Sequence, residues 1–280
     1  MNTGKKYTGV IVPAVTPLTA KLHLDESAVA RMLSLFYQYN ISPFILGTTG
    51  ESASLSLQLK KDYVLAAERN KKMGTLLYAG IGSNVLTESI EFADYCAIHA
   101  IDVVVATLPS YYPLTEKQML KYFLQLADSI KLPLFLYNIP ATTHMSLPLH
   151  IVDELSRHKN IVGIKDSERS EERMRESLKL WRGRDDFHYI LGWAVKSSEA
   201  LLLGADGLVP STGNLYPDVY AGMLNAFKLG DKVKLSEMQA LGDEYGALYQ
   251  TERTLGESLR ALKLLMKEKG LCEEYVMPPL

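Results

Sequence analysis

Lys165 closes a short apolar run, Ile161-Val162-Gly163-Ile164, and is followed by Asp166 and Ser167. Lysine is rarely buried without a partner or a task. At the end of what reads as a buried strand it either snorkels to a rim or acts chemically. Other stretches bring hydroxyls and glycine-flanked amides: Gly47-Thr48-Thr49-Gly50-Glu51-Ser52, Ser110-Tyr111-Tyr112, Tyr137-Asn138 and Ser211-Thr212-Gly213-Asn214. The inventory is one amine with several hydroxyls, and it contains no converging carboxylate pair. The six histidines never take an H-x-x-x-H spacing, so no metal is expected. Gly80-Ile81-Gly82 has Val85 where a dinucleotide fingerprint needs its third glycine, and reads as a turn.

An amine among hydroxyls, without a metal, is the equipment for Schiff-base chemistry on a carbonyl. A lysine attacks only when neutral, which desolvation favours. The protonated imine then serves as an electron sink, so an adjacent carbon–carbon bond can be made or broken. The covalent lysine–substrate imine takes the place of a cofactor. A phenol such as Tyr137 can shuttle the proton. Hydroxyls and amides at Thr48, Thr49 and Gly50 can bind a carboxylate, helped by the start of the next helix. In isolation the threonine pair is also a turn and helix-cap signal. Glu51 reads as a helix-start or structural residue rather than an acid catalyst, Trp193 as packing or substrate contact, and the charges from Glu168 to Glu176 as a solvated helix face.

The elements that must position these residues follow from hydrophobic periodicity. Strands are expected at 9–17, 44–47, 75–80, 102–109, 132–139, 161–165, 188–192 and 207–210. Helices are expected at 25–40, 57–71, 87–99, 116–130, 147–158, 171–181, 195–203 and 217–228. Asp25 is placed to cap the first helix and Pro217 to open the last. Eight strand–helix alternations in roughly 230 residues predict an α/β fold, a (β/α)8 TIM barrel. Two further helices, at 232–248 and 255–269, predict a C-terminal helical appendage: 1–230 barrel, 231–280 appendage. In this architecture the strand C-termini and the loops after them form the active site.

The chain has 280 residues, 47% hydrophobic and 22% charged, with a formal charge of −2. Such a balance gives no electrostatic footprint for nucleic acid or an anionic membrane surface. No apolar run approaches the roughly 20 residues of a membrane span, and the N-terminus lacks a signal-peptide core. Two distant cysteines, Cys96 and Cys272, suggest no disulfide framework. The expected location is cytoplasmic.

With these residues in order, the chain resembles the class I pyruvate-aldolase superfamily that contains dihydrodipicolinate synthase and N-acetylneuraminate lyase. The resemblance rests on Gly47-Thr48-Thr49-Gly50-Glu51, Tyr137-Asn138-Ile139-Pro140 and Gly163-Ile164-Lys165-Asp166, with Val15-Thr16-Pro17 and Gly204-Ala205-Asp206-Gly207 agreeing. It implies that Lys165 is the Schiff-base lysine for pyruvate or another 2-oxo acid, Tyr137 the proton-handling tyrosine and Thr48 the hydroxyl relay. It implies that Thr49 and Gly50 form the carboxylate pocket. Tyr112, or its neighbour Tyr111, then resembles the tyrosine donated across a subunit interface in a homotetramer built as a dimer of dimers. Thr142, Gly192, Val209 and Ser211 fall on the substrate side, where an aldehyde is the second partner.

The departures concern that partner. Thr142 stands where the synthase branch has an arginine, and a hydroxyl cannot replace a bidentate guanidinium. Trp193-Ala194-Val195 follow Gly192 where the sialate-lyase branch has an acidic pair. His144 stands where the family usually has glycine, and is expected to narrow or polarise the pocket mouth. The expectation is a lyase or aldolase joining or releasing pyruvate and an aldehyde, leaning toward 2-keto-3-deoxy sugar acids. The alternatives are 4-hydroxy-tetrahydrodipicolinate synthase, N-acetylneuraminate lyase, or a silent barrel that only binds a 2-oxo acid.

Overall fold

The computed structural model describes residues 5–280. The lack of a leader core was read partly from residues 1–4, which lie outside the described residues. Eight parallel strands follow one another in sequence order and close into a barrel. They are β1 (Gly9–Pro13), β2 (Ser42–Ile45), β3 (Tyr78–Gly80), β4 (Val103–Thr107), β5 (Leu134–Asn138), β6 (Ile161–Asp166), β7 (His188–Leu191) and β8 (Gly207–Leu208). The helices are α1 (Glu26–Gln38), α2 (Leu57–Arg69), α3 (Leu86–Ala97), α4 (Glu116–Ser129), α5 (Pro140–Thr143), α6 (Leu149–Leu155), α7 (Glu171–Trp181), α8 (Ser197–Leu203), α9 (Pro217–Leu229), α10 (Lys232–Gln250) and α11 (Leu255–Glu268). The TIM barrel with additional C-terminal helices is therefore the observed fold. No described helix is long and apolar enough to cross a membrane.

Local chemistry sets the helix ends. Asp25 accepts from the Ala28 N–H, Ser56 caps α2, and Thr115 and Thr254 form capping boxes with Gln118 and Glu257. Pro217 opens α9, and Gly230 in the left-handed region (φ 72°) closes it.

The chain packs as two compact units. The first comprises the described part of Met1–Gly9 with Gly80–Ile98 and Asp102–Val209. Its core is the apolar run of β4 with Leu134, Phe135, Leu136, Ile164 and Tyr189. In β5 and β6 the register pairs Phe135 with Gly163, Tyr137 with Lys165 and Asn138 with Asp166. Side chains alternate along a strand. Phe135, Tyr137, Gly163 and Lys165 thus share one face, and Asn138 and Asp166 the other. Gly163 is required there, since a Cβ would lie 2.4 Å from the Phe135 ring and 2.5 Å from the His188 carbonyl oxygen.

The second unit comprises Val10–Ala79, His99–Ile101 and Pro210–Leu280. Its core includes Val12, Phe36, Phe44, Tyr63, Tyr220, Leu262 and Met266. The ladder of β1 stops at Pro13, shorter than the apolar run predicts. Val15 and Thr16 remain buried, but side chains hold them: Val15 N–H donates to Asn214 Oδ1 at 3.2 Å and Tyr63 donates to the Val15 carbonyl at 2.8 Å. Apolar character persists there because burial persists after strand pairing has ended.

Candidate active site

In the first unit, Lys165 is 4% exposed, and its ammonium nitrogen lies 3.9 Å from the centroid of the Tyr137 ring. The strand register brings the two together, and the missing side chain at Gly163 makes room for the Phe135 ring in the layer beside them. The Tyr137 ring covers the side-chain nitrogen and shields it from water.

On the opposite face, Asn138 donates to Asp166 Oδ1 and to Glu168 Oε2, both at 2.9 Å, and accepts from the Leu147 N–H at 2.9 Å. Asp166 is buried and takes Arg173 Nε of α7 at 2.6 Å. Burial pushes its carboxyl up, while Arg173 and the Asn138 and Glu168 N–H donors pull it down. Glu168 also accepts from Ser146 at 2.6 Å. This network fixes the loop after β6, and it takes Arg173 out of the solvated helix face expected at 168–176, on which Glu171, Glu172, Arg175 and Glu176 are exposed. Arg173 is nine-tenths buried because Asp166, on the outer face of β6, needs a cation. The adjacent aspartate and an arginine seven residues on were the available signal.

Gly192 donates its N–H to the Asp166 carbonyl at 2.7 Å, and Val209 donates to the Leu191 carbonyl at 2.7 Å. A Cβ on Gly192 would lie 2.1 Å from Ser167 Oγ. Thr142 sits in the one-turn α5, which the periodicity missed because Pro140 reads as a strand end, and its hydroxyl donates to the Ile139 carbonyl at 3.3 Å. His144 is the left-handed residue that ends this turn, at φ 58°. The usual glycine at this place therefore has a backbone explanation. Tyr111 and Tyr112 are 76% and 72% exposed, their rings edge to face at 4.8 Å. The backbone N–H groups of Ser110 and Tyr111 are held by Asn84 Oδ1.

In the second unit, Thr48, Thr49 and Gly50 form a tight loop after β2. Gly50 N–H donates to the Gly47 carbonyl at 3.1 Å, and Glu51 N–H to the Thr48 carbonyl at 3.0 Å. Thr16 donates to the Gly50 carbonyl at 2.6 Å, and a Cβ on Gly50 would stand 3.0 Å from the Ala14 carbonyl oxygen. The loop runs into a 3-10 turn, Ser52–Ser54, and Ser56 rather than the threonine pair caps α2. The expected help from a helix start beside Gly50 is thus displaced along the chain. The Glu51 side chain makes no helix cap; it is fully buried, 2.5 Å from the ammonium of Lys263 on α11. Burial lowers the Lys263 pKa, and Glu51 opposes that. Ser211 shares a hydrogen bond of 2.6 Å with the Tyr249 hydroxyl of α10.

The closed parallel barrel and the family it matches define the class: a barrel lyase of aldolase type. The chain belongs to the dihydrodipicolinate synthetase family, whose model matches residues 6–280. It is 31% identical over 276 residues to "Putative 2-dehydro-3-deoxy-D-gluconate aldolase YagE" of Escherichia coli K12, covering 98% of this chain and 91% of that one. The crystal structure of YagE in complex with pyruvate superposes with a TM-score of 0.92 at 28% identity, covering 98% and 92% of the two chains. Dihydrodipicolinate synthase of Bacteroides thetaiotaomicron superposes at 0.93, with 29% identity and coverage of 100% and 94%.

Proposed function

We propose that this protein is a class I aldolase that forms an imine between Lys165 and pyruvate and joins the methyl carbon of the bound pyruvate to an aldehyde, or in reverse breaks that bond in a 2-keto-3-deoxy sugar acid. The observation that carries it is the burial of Lys165 against the Tyr137 ring. The neutral Lys165 amine adds to the 2-oxo carbon, and loss of water gives the imine. A proton leaves the neighbouring methyl carbon, and the resulting enamine adds to the aldehyde carbonyl. Hydrolysis then frees the product and Lys165. The reverse sequence cleaves a 2-keto-3-deoxy sugar acid into pyruvate and an aldehyde.

Tyr137 handles the proton and Thr48 relays it. The Thr49 hydroxyl and amide hold the carboxylate, while the Gly50 amide is turned to the Gly47 carbonyl and sets the loop's shape. No bound cofactor takes part. Thr142 contacts the aldehyde end, and its single hydroxyl, bonded to Ile139, supports a sugar-acid partner over one needing a bidentate cation. Gly192, Val209 and Ser211 border that end. The exposed pair Tyr111 and Tyr112 supports a role at a contact with a second copy of the chain, within a homotetramer. The two free, buried cysteines fit a cytoplasmic setting.

Two assays test the reading. Pyruvate release from 2-keto-3-deoxy sugar acids is expected, together with little condensation of pyruvate with aspartate semialdehyde. Robust turnover of aspartate semialdehyde and none of the sugar acids would overturn the substrate assignment.

A further inference from the structure

Glu51 ends the Thr48–Gly50 loop in the left-handed region (φ 58°, ψ 26°), which a side chain other than glycine adopts at a cost. Its carboxylate is held entirely by the C-terminal part of the chain. Oε1 meets the Lys263 ammonium at 2.5 Å, and Oε2 accepts the Met277 N–H at 2.7 Å. Lys263 in turn donates to the Tyr275 carbonyl at 2.6 Å. Neither side chain of the ion pair is exposed to solvent. A buried pair contributes little net stability over apolar packing, but pulling its partners apart leaves uncompensated buried charge, so movement of either end is costly. On its other flank the loop is pinned by Thr16 and by the lack of room at Gly50. The loop's shape therefore depends on a segment 226 residues away in sequence.

We propose that Lys263 and the strap Tyr275–Met277 are positioning elements for the carboxylate-binding loop, so that the C-terminus sets the affinity for the 2-oxo acid. The inference rests on the reading of Thr49, within the Thr48–Gly50 loop, as the pyruvate carboxylate site. Neither Glu51 nor Lys263 touches substrate in this account. Both act through the Thr49 amide and hydroxyl, whose direction the Glu51 anchor holds.

The test uses full-length protein and measures how borohydride trapping of pyruvate on Lys165 depends on pyruvate concentration. This needs no knowledge of the aldehyde. Met277→Pro removes one N–H donor to Glu51, and the double variant Glu51→Gln/Lys263→Met removes both charges and so leaves no unpaired ion. Each is expected to raise the half-saturating pyruvate concentration at least tenfold, with labelling at saturation unchanged. Lys263→Arg, which keeps the charge, is expected to fall between them and the parent protein. A role confined to stability would lower the melting temperature without moving half-saturation, and that result overturns the proposal. Absence of any Lys165 adduct in the parent protein would instead refute the pyruvate reading, and so separates the two failures.

Discussion

Replacing Asp166 with asparagine separates the charge of the buried pair behind Lys165 from its shape. Asp166 is 1% exposed and faces Arg173 Nε at 2.6 Å, with the Arg173 side chain 10% exposed. Removing one partner of a buried ion pair costs about 3–5 kcal/mol, since the remaining charge stays desolvated. Glu168 Oε2 lies 3.5 Å from the same nitrogen and compensates in part, so the loss expected is at the lower end, about 3 kcal/mol. Against a total stability on the order of 5–15 kcal/mol, the variant still folds. The assay is urea unfolding followed by circular dichroism. The midpoint should fall by about 1 M or more with little change in slope. Asp166→Asn/Arg173→Met, which leaves no unpaired charge, should recover more than half of the loss. A loss below about 1 kcal/mol, or a double variant weaker than the single one, would refute the reasoning.

Three further outcomes are expected. Gly192→Ala places a Cβ 2.1 Å from Ser167 Oγ and should cost about 1–3 kcal/mol, with Ser167→Ala restoring part of it in a double-mutant cycle by thermal melts. His188 is buried, and burial lowers its pKa from the ordinary 6.5, against the pull of Asp206 and Asp186. The unfolded chain then binds more protons below that value, so stability present at neutral pH should decline as pH falls through 6.5, and the decline should be shallower in His188→Gln. Burial pushes both Cys96 and Cys272 up to about 12, so a thiol reagent at pH 8 should label neither in the folded protein and both after denaturation.

What the sequence made legible follows from which interactions are local. Helix α7 has the bounds that its helical spacing predicts, and Ser170 caps it. Strand ends were overestimated, as at Val15 and Thr16, because burial outlasts ladder pairing. The lysine and tyrosine could be picked out because each closes an apolar run, and strand register then sets one beside the other. The Arg173–Asp166 pair was missed because periodicity marks Arg173 only as polar. It cannot show that the adjacent strand turns a carboxylate toward it. The tie from Glu51 to Lys263 and Met277 joins residues far apart in the chain, and no spacing rule reaches that distance. His144 looked like a change in the pocket, yet its left-handed backbone shows that it first satisfies a turn.

Imine formation at Lys165 is measured most directly by borohydride reduction in excess pyruvate, followed by peptide mass spectrometry. One stoichiometric carboxyethyl adduct is expected, on the peptide that contains Lys165, and its loss in Lys165→Arg. Folded protein that carries no adduct on Lys165, or carries it only on exposed lysines, would contradict imine formation at Lys165.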